Sequence, residues 1–209
     1  NHIILTNCKI ISGISMTKNK IEASSYLFPR PVVLIGANIQ GKPNFEPLAY
    51  ISSIEDTPPL IAIASYETHF TNIGIKENGT FSVNTPSEEI IEGTDYCGIV
   101  SGKEADKSEV FEVFYGELQT APMISNAPLN LECKVIKTIL IKELTGVEKG
   151  HELFIGEIVN AYAEQKYLTE GNPDISKLKT FTYSMKQYWK VGKPIANAWE
   201  IGKKYISNK

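Results

Sequence analysis

Short apolar runs separated by polar turns dominate the chain, and this pattern predicts strands more often than helices. Residues 60–64, which follow Pro58 and Pro59, are short and rich in β-branched side chains, as expected of a buried strand. Residues 80–85 alternate apolar with polar side chains, the period of a half-buried strand. Between them, residues 73–78 are predicted to form a short helix that Gly79 ends in the left-handed conformation.

Further strands are predicted on both sides of this segment. Residues 32–36 form one, the turn 40–43 ends it, and the less regular residues 44–54 lead to the strand at 60–64. We expect these three pieces to form an antiparallel meander. Residues 129–141 and 151–163 are two longer strands, and the turn signals between them predict that they pair as a hairpin.

The connections carry few helices. Ser87 is a good N-cap for a helix over 88–92 that Gly93 would end, and residues 95–107 are predicted as a loop. A short amphipathic helix at 109–114 and a helical piece at 174–179 follow, and an aromatic tail contains Tyr183, Tyr188, Trp189 and Trp199. Six or seven strands with two or three helices predict a mainly β fold, a small Greek-key barrel with a C-terminal extension.

Length and composition fit one domain. The 209 residues divide into an N-terminal extension at 1–25 and a domain at 26–209 with a C-terminal tail. Residues 1–15 are either a genuine extension or upstream sequence added in cloning. A net charge of −3 without a basic block argues against nucleic-acid binding.

Cysteine spacing and hydropathy place the chain in a reducing, aqueous setting. The three cysteines are too scattered for a disulfide framework or a zinc site, and buried thiols are expected at Cys8, Cys97 and Cys133. No metal is predicted. No run approaches the length of a membrane span, and no signal peptide is evident, so we expect a cytoplasmic protein without membrane association.

The candidate chemistry lies at the corner between the strand at 60–64 and the following helix. Residues 65–72 are dense in hydroxyls and amides at a helix N-terminus, the environment that binds a phosphate. An apolar barrel beside such a corner suits flavin mononucleotide (FMN), whose ring needs an apolar slot. The alternative is that these residues are ordinary helix caps. No GxGxxG, Walker, HExxH or GxSxG motif is present.

Several short motifs resemble the flavin reductase-like family, the FMN-binding split barrels. They are FPRPV at 28–32, GKPN at 41–44, Pro47, Ser52-Ser53, Pro58-Pro59, Asn72-Ile73 and GTFSVN at 79–84. The later stretches DYCG at 95–98, SGK at 101–103, Asp106-Lys107, LECK at 131–134 and FIGE at 154–157 are similar to the flavoredoxin branch in particular. The resemblance runs from about Tyr26 to Gly202.

This resemblance implies a homodimeric split β-barrel that binds FMN near the subunit interface and is reduced by NADH or NADPH. His151 matches a catalytic position at the nicotinamide end of the flavin. The implied cofactor-binding residues fall in three groups along the chain: Leu48, Ala49, Tyr50, Ile51, Ser52 and Ser53 beside the ribityl chain and ring; Ser65, Thr68, His69, Thr71 and Asn72 at the phosphate; and Lys103 and Lys107.

The sequence departs from the family pattern at the phosphate and at the ring. Many relatives have Lys or Arg around positions 67–69, where this chain has Glu67, Thr68 and His69. Neutralisation of the phosphate then falls to His69, Lys103 or Lys107, the lysines coming from this subunit or its partner. Relatives of one branch also have Ser and Asn where Ala49 and Ser52 stand.

Structural explanations compete with each functional assignment. His151 could be a surface or core histidine, Lys103 and Lys107 solvated loop charges, and Asn72 a helix cap. Two other functions compete with an NAD(P)H-dependent flavin reductase: a flavoredoxin-like electron carrier reduced by a partner protein, and a non-catalytic FMN-binding protein. A reductase component that hands reduced flavin to an oxygenase is a third.

Overall fold

The computed structural model describes residues 18–206. The expectations for residues 1–15 and for Cys8 therefore lie outside the described part of the chain. Within it, no helix is both long and apolar enough to cross a membrane.

Strands make up most of the regular structure. They are β1 (Arg30–Pro31), β2 (Val33–Ile39), β3 (Lys42–Leu48), β4 (Ile51–Asp56), β5 (Pro59–Tyr66), β6 (Thr80–Thr85), β7 (Val113–Phe114), β8 (Met123–Ile124), β9 (Leu129–Leu140), β10 (His151–Ala163), β11 (Leu168–Thr169), β12 (Asn172–Pro173), β13 (Phe181–Ser184) and β14 (Gln187–Lys190). The α-helices are short: α1 (Thr71–Asn78), α2 (Ile91–Ile99), α3 (Ile141–Thr145) and α4 (Ile175–Leu178). The mainly β expectation is confirmed.

A seven-stranded antiparallel sheet is the frame of the molecule. Its strand order is β3-β2-β6-β9-β10-β5-β4, with the long β9–β10 hairpin in the middle. The predicted hairpin is therefore confirmed, although α3 occupies part of its connection. The small sheet β1-β13-β14 joins the start of the domain to its C-terminal part.

The predicted meander is wrong. β3 pairs with β2, whereas β4 pairs with β5 at the opposite edge of the sheet. The predicted irregular segment 44–54 is in fact two strands separated by Ala49 and Tyr50, and the chain changes sheet edge between them. Two local hairpins replace the meander because the turns at 40–41 and 57–58 each return the chain onto its immediate neighbour.

Strand β6 is buried on both faces, so the prediction of a half-buried strand is also wrong. Its apolar side chains, Phe81 and Val83, join the core of β2, β5, β9 and β10. Its polar side chains are completely buried under the segment before β9. There Ser82 donates to the Pro122 carbonyl, and Asn84 accepts from the Ile124 amide at 3.0 Å. Backbone partners in the covering segment satisfy the polar face.

Two helical predictions need correction. The predicted helix at 88–92 is a 3₁₀ turn (Glu88–Ile90) followed by α2, which runs through Gly93. A Cβ at Gly93 would lie 3.0 Å from the Phe111 ring, so this glycine permits close packing and does not end the helix. The predicted loop from residue 95 consequently begins only after Ile99. Residues 107–110 form a 3₁₀ turn and β7 follows, so no amphipathic helix spans 109–114.

Other local predictions are confirmed. β5 contains the predicted strand, and α1 ends at Gly79 with φ of 64°. α4 lies within the predicted helical piece at 174–179. Cys97 and Cys133 are free, buried thiols.

Candidate functional site

The chain turns sharply between β5 and α1, and this corner forms one wall of a cavity of about 360 Å³. Thr68, His69 and Phe70 come from the corner itself. Glu46 and Pro47 come from β3, and residues 97–102 and Lys107 close the opposite side. Three chain segments that are distant in sequence therefore meet around one opening.

A buried carboxylate lies at the base of this cavity. Glu46 is 5% exposed, and its Oε1 accepts a hydrogen bond of 2.7 Å from the Ser65 hydroxyl. Its Oε2 lies 3.3 Å from His69 Nδ1. Hydrogen bonding to Glu46 raises the pKa of His69 above its ordinary value, while partial burial and the charge of Lys107 oppose the rise. Ser65 itself is completely buried behind Glu46 and is not exposed to the cavity.

Lys107 is an unusual buried cation. It is 5% exposed, and its Nζ donates one hydrogen bond, of 2.7 Å, to the Cys97 carbonyl. Among residues 18–206 no carboxylate lies within ion-pair distance of it, and burial lowers its pKa. Burial also raises the pKa of the Cys97 thiol to about 11, so this neighbour stays neutral near pH 7. An ammonium with unused donors beside a cavity is suited to binding an anion.

The start of α1 contributes less than the sequence suggests. The amides of Asn72 and Ile73 donate to the carbonyls of His69 and Phe70, at 3.3 and 3.1 Å. Both hydrogens of the Asn72 side-chain amide are used, by Tyr66 O at 3.0 Å and Glu152 at 2.9 Å.

Thr71 is buried and accepts from Asn44 at 2.7 Å. Neither Thr71 nor Asn72 lines the cavity, whose charged and hydroxyl groups are those of Glu46, Thr68, His69, Ser101 and Lys107.

Two further cavities continue from this one towards β4. Pro47 also lines a small cavity of about 160 Å³ with Leu48, Ala49, Tyr183 and Tyr188. Ala49 in turn lines a third cavity, of about 310 Å³. Neighbouring cavities share the wall residues Pro47 and Ala49, so the three cavities lie side by side along residues 46–52, and this row of cavities is called here the groove.

The far end of the groove is largely apolar. Ala49, Tyr50, Ile51 and Ser52 form one wall, and residues 25–31 form the other. The Arg30 guanidinium lies 4.8 Å from the centre of the Tyr50 ring and donates to the Leu27 carbonyl at 3.0 Å and to the Ser25 carbonyl. Hydrogen bonding by Ser25, together with the charge of Arg30, lowers the pKa of Tyr50. This end can enclose a planar apolar ring.

His151 and two other predicted residues lie outside the groove. His151 pairs across β10 and β5 with Tyr66, and its ring is 5.4 Å from both Tyr66 and Tyr50. It therefore packs against Tyr50 without lining the 310 Å³ cavity. Ser53 is exposed on β4. Lys103 lines a neighbouring cavity of about 270 Å³, which shares Phe70, Gly102 and Lys107 with the 360 Å³ cavity but is not lined by His69.

Sequence reasoning missed Glu46 and Arg30 as site residues. A lone carboxylate among the apolar residues of β3 is the signal that could have identified Glu46. Arg30 was part of a motif used for the resemblance, yet no role was assigned to it. The resulting geometry, an anion-binding end and an apolar end joined by a groove, is that of a site for a phosphorylated planar ligand. Among residues 18–206 no cluster of three potential metal ligands is present.

Comparison with known proteins assigns the class. The sequence profile described as the flavin reductase like domain matches residues 25–191, and the chain belongs to this family. Its fold is that of the split-barrel flavin reductase-like proteins of known structure.

Individual relatives agree with this assignment. The structure is similar to a flavoredoxin from Methanosarcina acetivorans, with 43% identity and a TM-score of 0.84, covering 91% of this chain and 100% of that one. It is also similar to a flavoredoxin of Desulfovibrio vulgaris (Miyazaki F), with 29% identity and a TM-score of 0.80, covering 90% and 100%. An uncharacterized protein of Archaeoglobus fulgidus is 29% identical over 164 residues, 77% of this chain and 87% of its own.

Proposed function

We propose that the protein binds FMN in the groove along residues 46–52 and acts as an NAD(P)H-dependent flavin reductase. The observation that carries the proposal is the buried Lys107 ammonium, which faces the cavity without a carboxylate partner among residues 18–206. Thr68, His69 and Lys107 would hold the phosphate, and residues 48–52 would lie along the ribityl chain and ring. The flavin, when bound, supplies the two-electron chemistry.

The protein's own contribution would be orientation and exclusion of water. Tyr50 and the Arg30-anchored segment would cover one part of the ring, and Leu48 and Ala49 would support the part nearer the phosphate. A nicotinamide donor would need the remaining open face of the groove, at near-attack distance. His151, through its contact with Tyr50, would support that end of the site.

Absorbance spectroscopy tests this proposal directly. Protein supplied with FMN should retain flavin bands after gel filtration, and adding NADH or NADPH should bleach them. Steady-state oxidation of the same nucleotide with ferric or free-flavin acceptors should follow. Protein that takes up no FMN would overturn the cofactor assignment, and bound flavin that neither nucleotide reduces would overturn the reductase assignment.

The second candidate is a flavoredoxin-like electron carrier. It is favoured by the 43% identity to the Methanosarcina acetivorans flavoredoxin. A carrier would hold FMN tightly and be reduced by dithionite or a partner protein, with negligible oxidation of NADH or NADPH. Comparing the two rates on one holoprotein preparation separates the candidates.

We also propose that the protein is a homodimer. We place it in the cytoplasm, because free thiols and a nicotinamide donor fit a reducing compartment. Exposed apolar surface supports the dimer.

The C-terminal arm, defined here as residues 191–206, carries much of this surface. Ile195 is 101% and Trp199 92% exposed, and Ile201, Tyr205 and Ile206 are also exposed. Light scattering should give a dimer. In an Ile195→Ser/Trp199→Ser double variant, the dissociation constant of the dimer should be at least tenfold higher. Lys193→Gln is the matched control in the same arm. A monomeric wild type at micromolar concentration would overturn the dimer.

A further inference from the structure

His69 has a defined tautomer in this structure. Its Nδ1 lies 3.3 Å from Glu46 Oε2 and 3.1 Å from the Ser65 hydroxyl oxygen. The Ser65 hydroxyl proton is directed to Glu46 Oε1, at 2.7 Å, so both neighbours of Nδ1 present oxygen lone pairs. Because an ionised carboxylate can only accept, Nδ1 must carry the proton.

The other ring nitrogen then decides what His69 offers to a ligand. With Nδ1 protonated, Nε2 bears a lone pair in the neutral ring and a proton in the cationic ring. A phosphate oxygen is an acceptor, so a hydrogen bond from Nε2 forms only with the cation. The neutral ring would present a lone pair to the phosphate and repel it.

Charged groups from every neighbouring element fix the net charge of the cavity. Glu46 comes from β3 and Lys107 from the 3₁₀ turn after the 97–106 segment, and their charges cancel. Cys97 of α2 is a neutral thiol. On the His69 side, Tyr66 contributes an uncharged ring at 6.3 Å.

The nearest charges on α1 and β10, Lys76 and Glu152, neutralise each other at 2.9 Å, and Glu67 of the corner is neutralised by Lys142 at 2.8 Å. The proton on Nε2 of His69 is therefore what gives the cavity a net positive charge.

We propose that Glu46 is a positioning residue that holds the Nδ1 proton of His69, so that this cavity favours a phosphate monoester over the unphosphorylated ligand more strongly while His69 is protonated. The proposal rests on the proposed FMN site and deepens it. It assigns the pH-dependent part of the specificity between FMN and riboflavin to the His69 proton, in addition to the charge of Lys107.

The direction of the pH effect follows from two ionisations. A phosphate monoester becomes a dianion above a pH of roughly 6. The pKa of His69 is raised by Glu46 above its ordinary value. The preference for FMN should therefore be greatest between these two ionisations and should fall as the pH rises through the pKa of His69.

Binding of FMN and riboflavin to the same apoprotein tests the proposal. Dissociation constants from quenching of flavin fluorescence, taken between pH 5.5 and 9, give the ratio of the two affinities at each pH. In the wild type, the preference for FMN over riboflavin should fall about tenfold as the pH rises through the pKa of His69, which is the effect of one charged hydrogen bond. We call this fall the alkaline limb of the pH profile. His69→Gln should abolish that alkaline limb, and Glu46→Gln should move it to lower pH. Glu55→Gln, on the exposed strand β4 away from the cavity, is the control for Glu46→Gln, and it should retain the limb.

A readout without ligand separates positioning from simple structural support. In the apoprotein, the NMR titration of the His69 ring should shift to a lower pKa in Glu46→Gln, while circular dichroism stays unchanged. If neither flavin binds, the proposed function fails and this inference fails with it. If both bind but the ratio is constant above pH 7, or if His69→Gln keeps the limb, the inference alone is overturned.

Discussion

Two buried glutamates, on different parts of the same sheet, show how differently a carboxylate can be used. Glu132 of β9 is completely buried and accepts from the amides of Glu117 and Leu118, at 3.2 and 2.9 Å, from Asn160 at 2.8 Å and from Tyr162 at 3.0 Å. All four partners are uncharged donors. These bonds fasten the segment after β7 to the sheet.

Glu46 has a different set of partners. It is nearly as buried, yet its neighbours are one hydroxyl, a titratable histidine and a nearby lysine that lines the same cavity. A carboxylate saturated by fixed donors has no capacity left for a ligand. A carboxylate whose charge is balanced by ionisable side chains, such as Glu46, lets the charge of the cavity change with pH or with ligand binding.

The largest expected effect tests Glu132. Glu132→Ala leaves four partly buried donors without their acceptor and should lower the free energy of unfolding by about 3–5 kcal/mol. Denaturant unfolding measures it, with Glu55→Ala on the exposed strand β4 as the control, expected within about 0.5 kcal/mol. Glu132→Gln keeps one acceptor oxygen, so its loss of unfolding free energy should lie between those of Glu132→Ala and Glu55→Ala. This variant provides the test if Glu132→Ala does not fold. A loss below about 1 kcal/mol would show that water satisfies these donors.

Lys107 should respond in the opposite manner. Lys107→Met removes a buried cation and should raise the free energy of unfolding of the apoprotein by about 1 kcal/mol. The same change should weaken FMN binding about 30-fold, through the loss of charged hydrogen bonds. Riboflavin binding should change by less than about threefold, because Lys107 lies at the phosphate end. Equal losses for both flavins would remove Lys107 from the phosphate site.

The pair of His69 and Glu46 should make a smaller contribution to stability. The pKa of His69 is raised in the folded protein, so protonation stabilises the fold below the unfolded value near 6.5. This contribution is lost as the pH rises through the folded pKa. The side chain is 45% exposed, so solvent screening should hold the effect below about 1 kcal/mol. Urea unfolding between pH 5.5 and 8.5 measures it, and His69→Gln should remove this component, whereas His151→Gln should not.

Lys103 should matter least. It is exposed and lines the cavity beyond Phe70 and Gly102, which Lys107 also lines but His69 does not. Lys103→Gln should change FMN affinity by less than about twofold at 0.15 M salt, since an exposed charge is screened there. A change as large as that of Lys107→Met would show that the loop 101–106 moves onto the phosphate when ligand binds. Fluorescence titration distinguishes the two outcomes.

Much of the fold was predictable because local patterns determine it. The β-branched run in β5, the glycine after α1 and the two long strands of the central hairpin are each evident within a few residues of sequence. The path from β3 to β4 was not, since Ala49 and Tyr50 carry no turn signal and only pairing partners elsewhere in the chain decide where each strand goes.

The site was predicted in outline and not in its electrostatics. Thr68, His69 and Lys107 do line one cavity, whereas Asn72 and Thr71 bond to other side chains. Sequence gives the residue types at a corner, but a hydrogen-bond donor serves a ligand only if nothing closer in the fold uses it. Glu46 lies near the end of β3, whereas His69 follows β5. Because these positions are far apart in the chain, no local sequence pattern indicates that the two side chains pair.

The contact of Arg30 with Tyr50 has a consequence for how long a ligand stays. Leaving the apolar end of the groove requires the segment 25–31 to lift, which breaks the contact of the Arg30 guanidinium with the Tyr50 ring, whereas the bonds of Arg30 to the Leu27 and Ser25 carbonyls lie within the segment and move with it. The dissociation rate of the ligand would then be set by how fast residues 25–31 open, whatever the equilibrium affinity. If residues 25–31 open slowly, the protein retains its flavin; if they open quickly, it exchanges flavin with other proteins.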